Sequence, residues 1–210
     1  MCSPEVEYIK IGKGCRELYI PTFIRTEVIE KVKKIEEEIQ KIERRIEYPI
    51  YVKERGKYAK IVERKEWIGS RELKIIREYE FEDERRDIKE VYLAEVGWIE
   101  REYDGWLLPE IDREWVIKDM KLIKSANYTE EVVDINALKS ELEEKVKLAK
   151  KLLREELERL GFRFSVRDNG WRMFITITYN GEENTAIYNP RACEFDGLIG
   201  KYSLLASIVV

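Results

Sequence analysis

The spacing of apolar residues changes character along the chain, and each change predicts a different element. Residues 5–20 alternate loosely around Gly12 and Gly14, as two short strands and a turn would. Pro21 interrupts that alternation, and Thr22 or Thr26 is suited to cap a following helix. From there Val28, Val32, Ile35, Ile39, Ile42 and Ile46 recur in steps of four and three, with charged residues between them. This is a heptad stripe on a helix that should run to about Glu47, because Pro49 disfavours helix at Tyr48. All six stripe residues are β-branched, a choice that in parallel coiled coils favours three or four strands over two. The stripe is therefore expected to contact a second copy of the chain, with packing on the chain's own central sheet as the alternative.

From Ile50 to Lys124 the period drops to two. "YPIYVKERGKYAKIVERKEWI" reads as a hairpin turning near Arg55-Gly56. "ELKIIREYEF", "IKEVYLAEVGWI" and "EWVIKDMKLIK" follow as further alternating runs. The expectation is a largely antiparallel sheet of about four to six strands. Tyr and Trp are dense here, as a sheet packing surface requires.

The helical period returns between Asp134, a candidate N-cap, and Gly161, a candidate stop. Ile135, Leu138, Leu142, Val146, Ala149, Leu153, Leu157 and Leu160 follow an eleven-residue period, widened by Leu148 and Leu152. Such a face suits a sheet better than a narrow seam. A sheet is expected at once, because Asn169-Gly170 and Asn180-Gly181 sit between alternating runs. A three-stranded meander should place Phe162, Phe164, Val166, Trp171, Met173, Ile175, Ile177, Thr185 and Ile187 under the helix. A helix, three strands and a closing helix is an order shared with double-stranded-RNA-binding domains. The segment after Pro190 lacks the Lys cluster of that family, and Arg191 stands alone there. The predicted class is thus α+β: a central antiparallel sheet, an N-terminal heptad helix, and a C-terminal long helix on a three-stranded meander. The three expected segments are residues 1–48, 49–130 and 131–210.

Composition narrows the function classes. Charged residues make up 39% of the 210, His is absent, and Gln40 is the sole Gln. Abundant Lys, Arg and Glu with few thermolabile residues points to a hyperthermophilic archaeon, or a virus or plasmid of one. Without His, the usual general base and the commonest metal ligand are missing. Ser-His and Cys-His nucleophile pairs are excluded. Cys2, Cys15 and Cys193 have no CxxC spacing. They read as buried or free thiols, with a bridge such as Cys15 to Cys193 as the alternative open to hyperthermophile proteins. The opening "MCSPEVEYIK" has no basic start and apolar run, and "GLIGKYSLLASIVV" is too short to span a bilayer. These features point to a cytoplasmic protein without a membrane partner.

Net charge is −4, which argues against a general nucleic-acid coat protein. The charge is uneven: six basic and two acidic residues lie between Lys53 and Lys65, and five basic and fourteen acidic between Glu78 and Glu114. Lys53, Arg55, Lys57, Tyr58, Lys60 and Arg64 form a basic, aromatic hairpin of the type that suits single-stranded nucleic acid. The acidic run Glu78, Glu80, Glu82, Asp83 and Glu84 reads as a hydrated surface, or as a cation site or nucleic-acid mimic.

One stretch resembles the metal site of restriction-type nucleases, in which a strand-borne (D/E)-x-K follows an upstream carboxylate. Asp119-Met120-Lys121 supplies D-x-K, with Glu110 or Asp112 upstream. The resemblance implies Mg²⁺ held by the carboxylates, with the Lys beside the attacking water. The spacing is short, and Pro109-Glu110 stands where the family has Pro-Asp. The resulting expectation is a non-enzymatic assembly protein acting as a homo-oligomer and needing no cofactor. Nucleic-acid binding and Mg²⁺-dependent cleavage are the alternatives.

Overall fold

A computed structural model describes the backbone of residues 6–103 and 110–210, and the side chains of 6–100 and 114–210. It is a mixed α+β protein. In chain order the elements are β1 (Tyr8–Ile11), β2 (Leu18–Pro21), α1 (Thr26–Glu47), β3 (Ile50–Val52), β4 (Lys57–Trp67), β5 (Glu72–Phe81), β6 (Arg86–Tyr103), β7 (Glu110–Ser125), β8 (Glu130–Val132), α2 (Ile135–Arg159), β9 (Arg163–Asp168), β10 (Met173–Tyr179), β11 (Glu182–Asn189) and β12 (Glu194–Ile199), before a closing 3₁₀ segment, Ser203–Ile208. No helix among the described residues is long and apolar enough to cross a membrane.

The chain divides into two compact units rather than three consecutive segments. One joins residues 1–44 to 136–210, and the other comprises 45–135. The first is held by an apolar core to which both ends of the chain contribute. Ile29, Val32, Ile35 and Ile39 of α1 share it with Leu18 and Ile20, with Ala149, Leu153 and Leu157 of α2, with Ile175 and Ile177 of β10, and with Leu205 and Ile208 near the C-terminus. Cys15 and Cys193 are disulfide-bonded within this unit, so the pair is not the free thiols of the plainer reading. A bridge across a separation of 178 residues removes about 5 kcal/mol of conformational freedom from the unfolded chain in the loop-entropy picture.

Glu156 is buried within the same unit and receives two guanidinium forks. Arg25 donates Nε and Nη2 to its oxygens at 2.7 and 2.6 Å, and Arg159 donates at 3.0 and 2.9 Å. Both lone-pair sides of the carboxylate are thereby occupied, which offsets the cost of burying it. Hydrogen bonds from Arg159 and then Arg25 hold its pKa far below the ordinary 4.5.

The C-terminal sheet is antiparallel with strands in the order β12-β11-β10-β9, four rather than the expected three. Asn180 and Gly181 both have positive φ, 51° and 79°, as a two-residue hairpin turn requires. That turn pairs Tyr179 with Glu182 and hence Ile177 with Asn184 and Ile175 with Ala186. The inward residues of β11 are therefore Asn184, Ala186 and Tyr188. Thr185 and Ile187, expected under the helix, face the other way, because one residue of register reverses every side chain. The first Asn-Gly pair is not a two-residue turn: Asp168 pairs with Met173, and Asn169 Oδ1 accepts the N–H groups of Trp171 and Arg172 inside a four-residue loop. Val166 and Trp171, also expected inside, are exposed.

The second unit is a six-stranded antiparallel sheet in the order β7-β6-β5-β4-β3-β8. It is curled. Trp67 on β4 and Trp115 on β7 have two strands between them, roughly 14 Å on a flat sheet, yet their rings meet edge to face at 5.9 Å. Beneath them Leu73, Ile75, Ala94 and Val96 form a small core. A second one gathers Ile50, Val52, Ala59, Tyr79 and Phe81.

Two outcomes test the first unit. Ile35→Asp with Ile42→Asp places carboxylates at two buried positions and should cost more than about 4 kcal/mol. Denaturant titration should then show a destabilised or unfolded chain rather than a folded, dissociated one. Because the Glu156 pKa is depressed on folding, its contribution is full above about pH 4.5 and is lost as pH falls towards the folded value. Glu156→Gln should be less stable at neutral pH and lose less stability on acidification, read from melting temperatures across that range.

Candidate functional site

The α1 stripe is covered by its own chain. Val32, Ile35, Ile39 and Ile42 are buried, while Val28 and Ile46 are half-buried. Of the expected oligomerisation residues, Val28, Val32, Ile35 and Ile39 thus line the core of the first unit, and Ile42 is buried outside that cluster. A seam between copies at these positions would have to displace Ala149 and Leu153.

The basic hairpin is folded against carboxylates. Lys53 pairs with Glu131 at 2.6 Å, Arg55 with Asp87 at 2.6 Å, Lys57 with Asp83 at 2.5 Å, and Lys60 with Glu80 at 2.9 Å. Arg64 contacts both Glu66 and Glu78, and Tyr58 packs on Tyr51 at 5.1 Å. Strand pairing explains the match. β4 and β5 align Lys60 with Glu80 and Glu63 with Arg77, so much of the acidic run lies beside the basic one. The hydrogen bonds that Lys53, Arg55 and Lys60 donate to Glu131, Asp87 and Glu80 raise the pKa values of the three cations. Those from Lys60 and Lys57 lower Glu80 and Asp83. Every cation predicted to meet a phosphate already has a carboxylate.

Asp119 and Lys121 share one exposed face of β7. Asp119 lies cross-strand from Glu95, which in turn opposes Glu72, so three carboxylates form a row across three strands. Asp119 Oδ1 accepts the backbone N–H of Met120 at 2.8 Å. The side chains of Glu110 and Asp112 lie outside the described residues. Among the described residues no group of three or more Asp, Glu or Cys is arranged to hold a metal ion.

What sequence reading missed lies on the other side of the same strand. Register places Trp98 opposite Trp115, Val96 opposite Ile117, Ala94 opposite Met120, and Tyr92 opposite Leu122. An irregularity between Glu95 and Val96 inserts Lys118 into β7. The inserted residue keeps Trp115 and Ile117 in phase with Met120 and Leu122. Its side chain lies across Gly97, where an added Cβ would collide with the Lys118 side chain. Trp98, Trp115, Ile117, Met120 and Leu122 are between 37 and 53% exposed. They form an apolar row over roughly 25 Å of strand, on a sheet edge that, among the described residues, pairs only through β6. Single exposed apolar residues are ordinary, whereas a contiguous row is characteristic of an interaction surface. The alternation of "EWVIKDMKLIK" was visible, but which of its two faces would be left open is set by what covers the sheet, which alternation does not carry.

Comparison of the chain with family models, with curated proteins and with solved structures returns no match.

The ion pairs of the hairpin make a direct prediction. Lys60→Glu should lower the melting temperature by leaving Glu80 beside a like charge, and Glu80→Lys in the same background should recover part of the loss, since Arg86 and Glu47 also contact this pair. A Lys60→Glu variant as stable as the parent would show that these pairs contribute nothing.

Proposed function

We propose that this is a non-enzymatic assembly protein of a hyperthermophilic archaeon or its virus, and that it works as a homo-oligomer through β7 rather than α1. The observation that carries this reading is the exposed apolar row on a strand that, among the described residues, is paired along one edge. Edge strands offer free backbone donors and acceptors, and proteins that remain monomeric usually blunt them. The occupant is a second copy, because β7 is complementary to itself. In an antiparallel pairing centred on Met120, Asp119 of one copy faces Lys121 of the other, twice over by symmetry. The apolar residues of both copies then fall on one common face, and pairing transfers the Met120 N–H from Asp119 Oδ1 to the partner's backbone, which leaves the carboxylate for Lys121.

Light scattering at tens of micromolar should give about twice the 25.2 kDa chain mass. Asp119→Lys should shift the population towards monomer, and adding Lys121→Asp should restore the dimer, since the swap regenerates both pairs. A wild type that is monomeric under these conditions removes the reading. A dimer indifferent to both substitutions removes the register.

A further inference from the structure

The C-terminal sheet has a second face. Ile175, Ile177 and Ala186 are fully buried on the core side, so alternation turns Arg163, Ser165 and Arg167 of β9 and Phe174 and Thr176 of β10 away from the core. Cross-strand register arranges them in rows: Arg167 beside Phe174, and Ser165, Thr176 and Thr185 in line across three strands. A shallow cavity of about 590 Å³ opens here, lined by Ser165, Arg167, Asn169, Phe174, Thr176 and Thr185. All but Asn169 belong to this outward face, and Asn169 begins the loop at its end.

The charges on this face differ from those on the central sheet, where the hairpin cations are neutralised by neighbours. Among the described residues, neither Arg163 nor Arg167 has a carboxylate partner. The Glu183 carboxylate shares this face, in the Arg163 row, because both residues oppose Thr178. It is two strands from Arg163, on the order of 10 Å away. At the β9–β10 loop Trp171 is 65% exposed, and the Arg191 guanidinium lies 4.2 Å from its ring centre.

We propose that this outer face binds single-stranded nucleic acid. Two guanidiniums without partners are donors shaped for phosphate oxygens. Phe174 offers an aromatic surface on which an unstacked base can lie, and the hydroxyl row supplies donors and acceptors to sugar and base edges. Aromatic platforms beside a basic track are how sequence-tolerant single-strand binding works. A duplex, whose bases are already stacked, cannot use Phe174 in this way.

The test is fluorescence anisotropy with labelled oligothymidylate and oligouridylate at low salt, using the full chain. The Asp119→Lys background is run in parallel so that assembly through β7 does not enter the result. Arg163→Glu with Arg167→Glu should weaken binding at least about tenfold, and should flatten the slope of log K against log salt by roughly 1.4, from two lost phosphate contacts. Phe174→Ala should weaken it about 5- to 100-fold. Both arginines are exposed, so far-UV circular dichroism should be unchanged in the Arg variant, and Arg167→Lys should retain part of the affinity. Lys57→Glu with Lys60→Glu should leave binding as it was. Absence of wild-type binding at low salt, equal binding of duplex, or a larger loss from the Lys pair than from the Arg pair would each overturn the proposal.

Discussion

Burial of the α1 stripe is the constraint on which the first unit depends. An isolated helix of that length, carrying charges on all but one face, is marginal in water. Its β-branched residues gain their free energy only when covered, and the cover comes from the far end of the sequence: Ala149, Leu153 and Leu157, then Ile175 and Ile177, then Leu205 and Ile208. Residues at the two ends must therefore meet before the helix is stable. The Cys15–Cys193 bridge and the two forks on Glu156 act on the same closure. One is covalent, and the other satisfies a charge that the closure would otherwise strand in an apolar setting.

The same economy governs charge. In a chain with 39% charged residues, segment totals say little about the field at the surface, because strands of opposite sign pair in register. Basic residues between 55 and 64 lie beside carboxylates of β5, of the turn after it and of the start of β6, and cancel locally. Exposed pairs of this kind contribute little each at ordinary temperature. As networks they matter more when hot, where desolvating charge costs less. Arg163 and Arg167 stand out by contrast: their neighbours on β10 are Thr178 and Phe174, with no charge to answer theirs.

How much of this was legible follows from the range of each interaction. Local period separated helix from strand, and Pro49 and Gly161 lie where the helical patterns end, so the α+β class and the antiparallel centre could be read directly. The destination of the α1 stripe could not, since a helix face looks the same whether its cover lies in cis or in trans. The reversed inward set of β11 came from counting alternation through a turn, when the two-residue turn itself fixes the pairing of Tyr179 with Glu182. The fourth strand was hidden because Gly197 and an irregularity beside Ile187 break the alternation of "EFDGLI". The open apolar row depended on what covers each face of the sheet, a property of the whole fold.

The edge strand then acquires a particular logic. β8, at the opposite edge of the same sheet, is three residues long and offers little to pair with. β7 runs for sixteen but carries Lys118, Lys121 and Lys124 together with two irregularities of register against β6. Both are features by which proteins discourage indiscriminate pairing of an edge. The apolar row on its other face works in the reverse sense, since leaving it in water forgoes the free energy of covering it. A strand that is attractive on one face and repulsive on the other does not favour every partner. It favours a partner that brings a carboxylate to Lys121 while covering Ile117, Met120 and Leu122. Among the strands of this chain, β7 itself meets both conditions through Asp119, so the charges that deter general association also select its register.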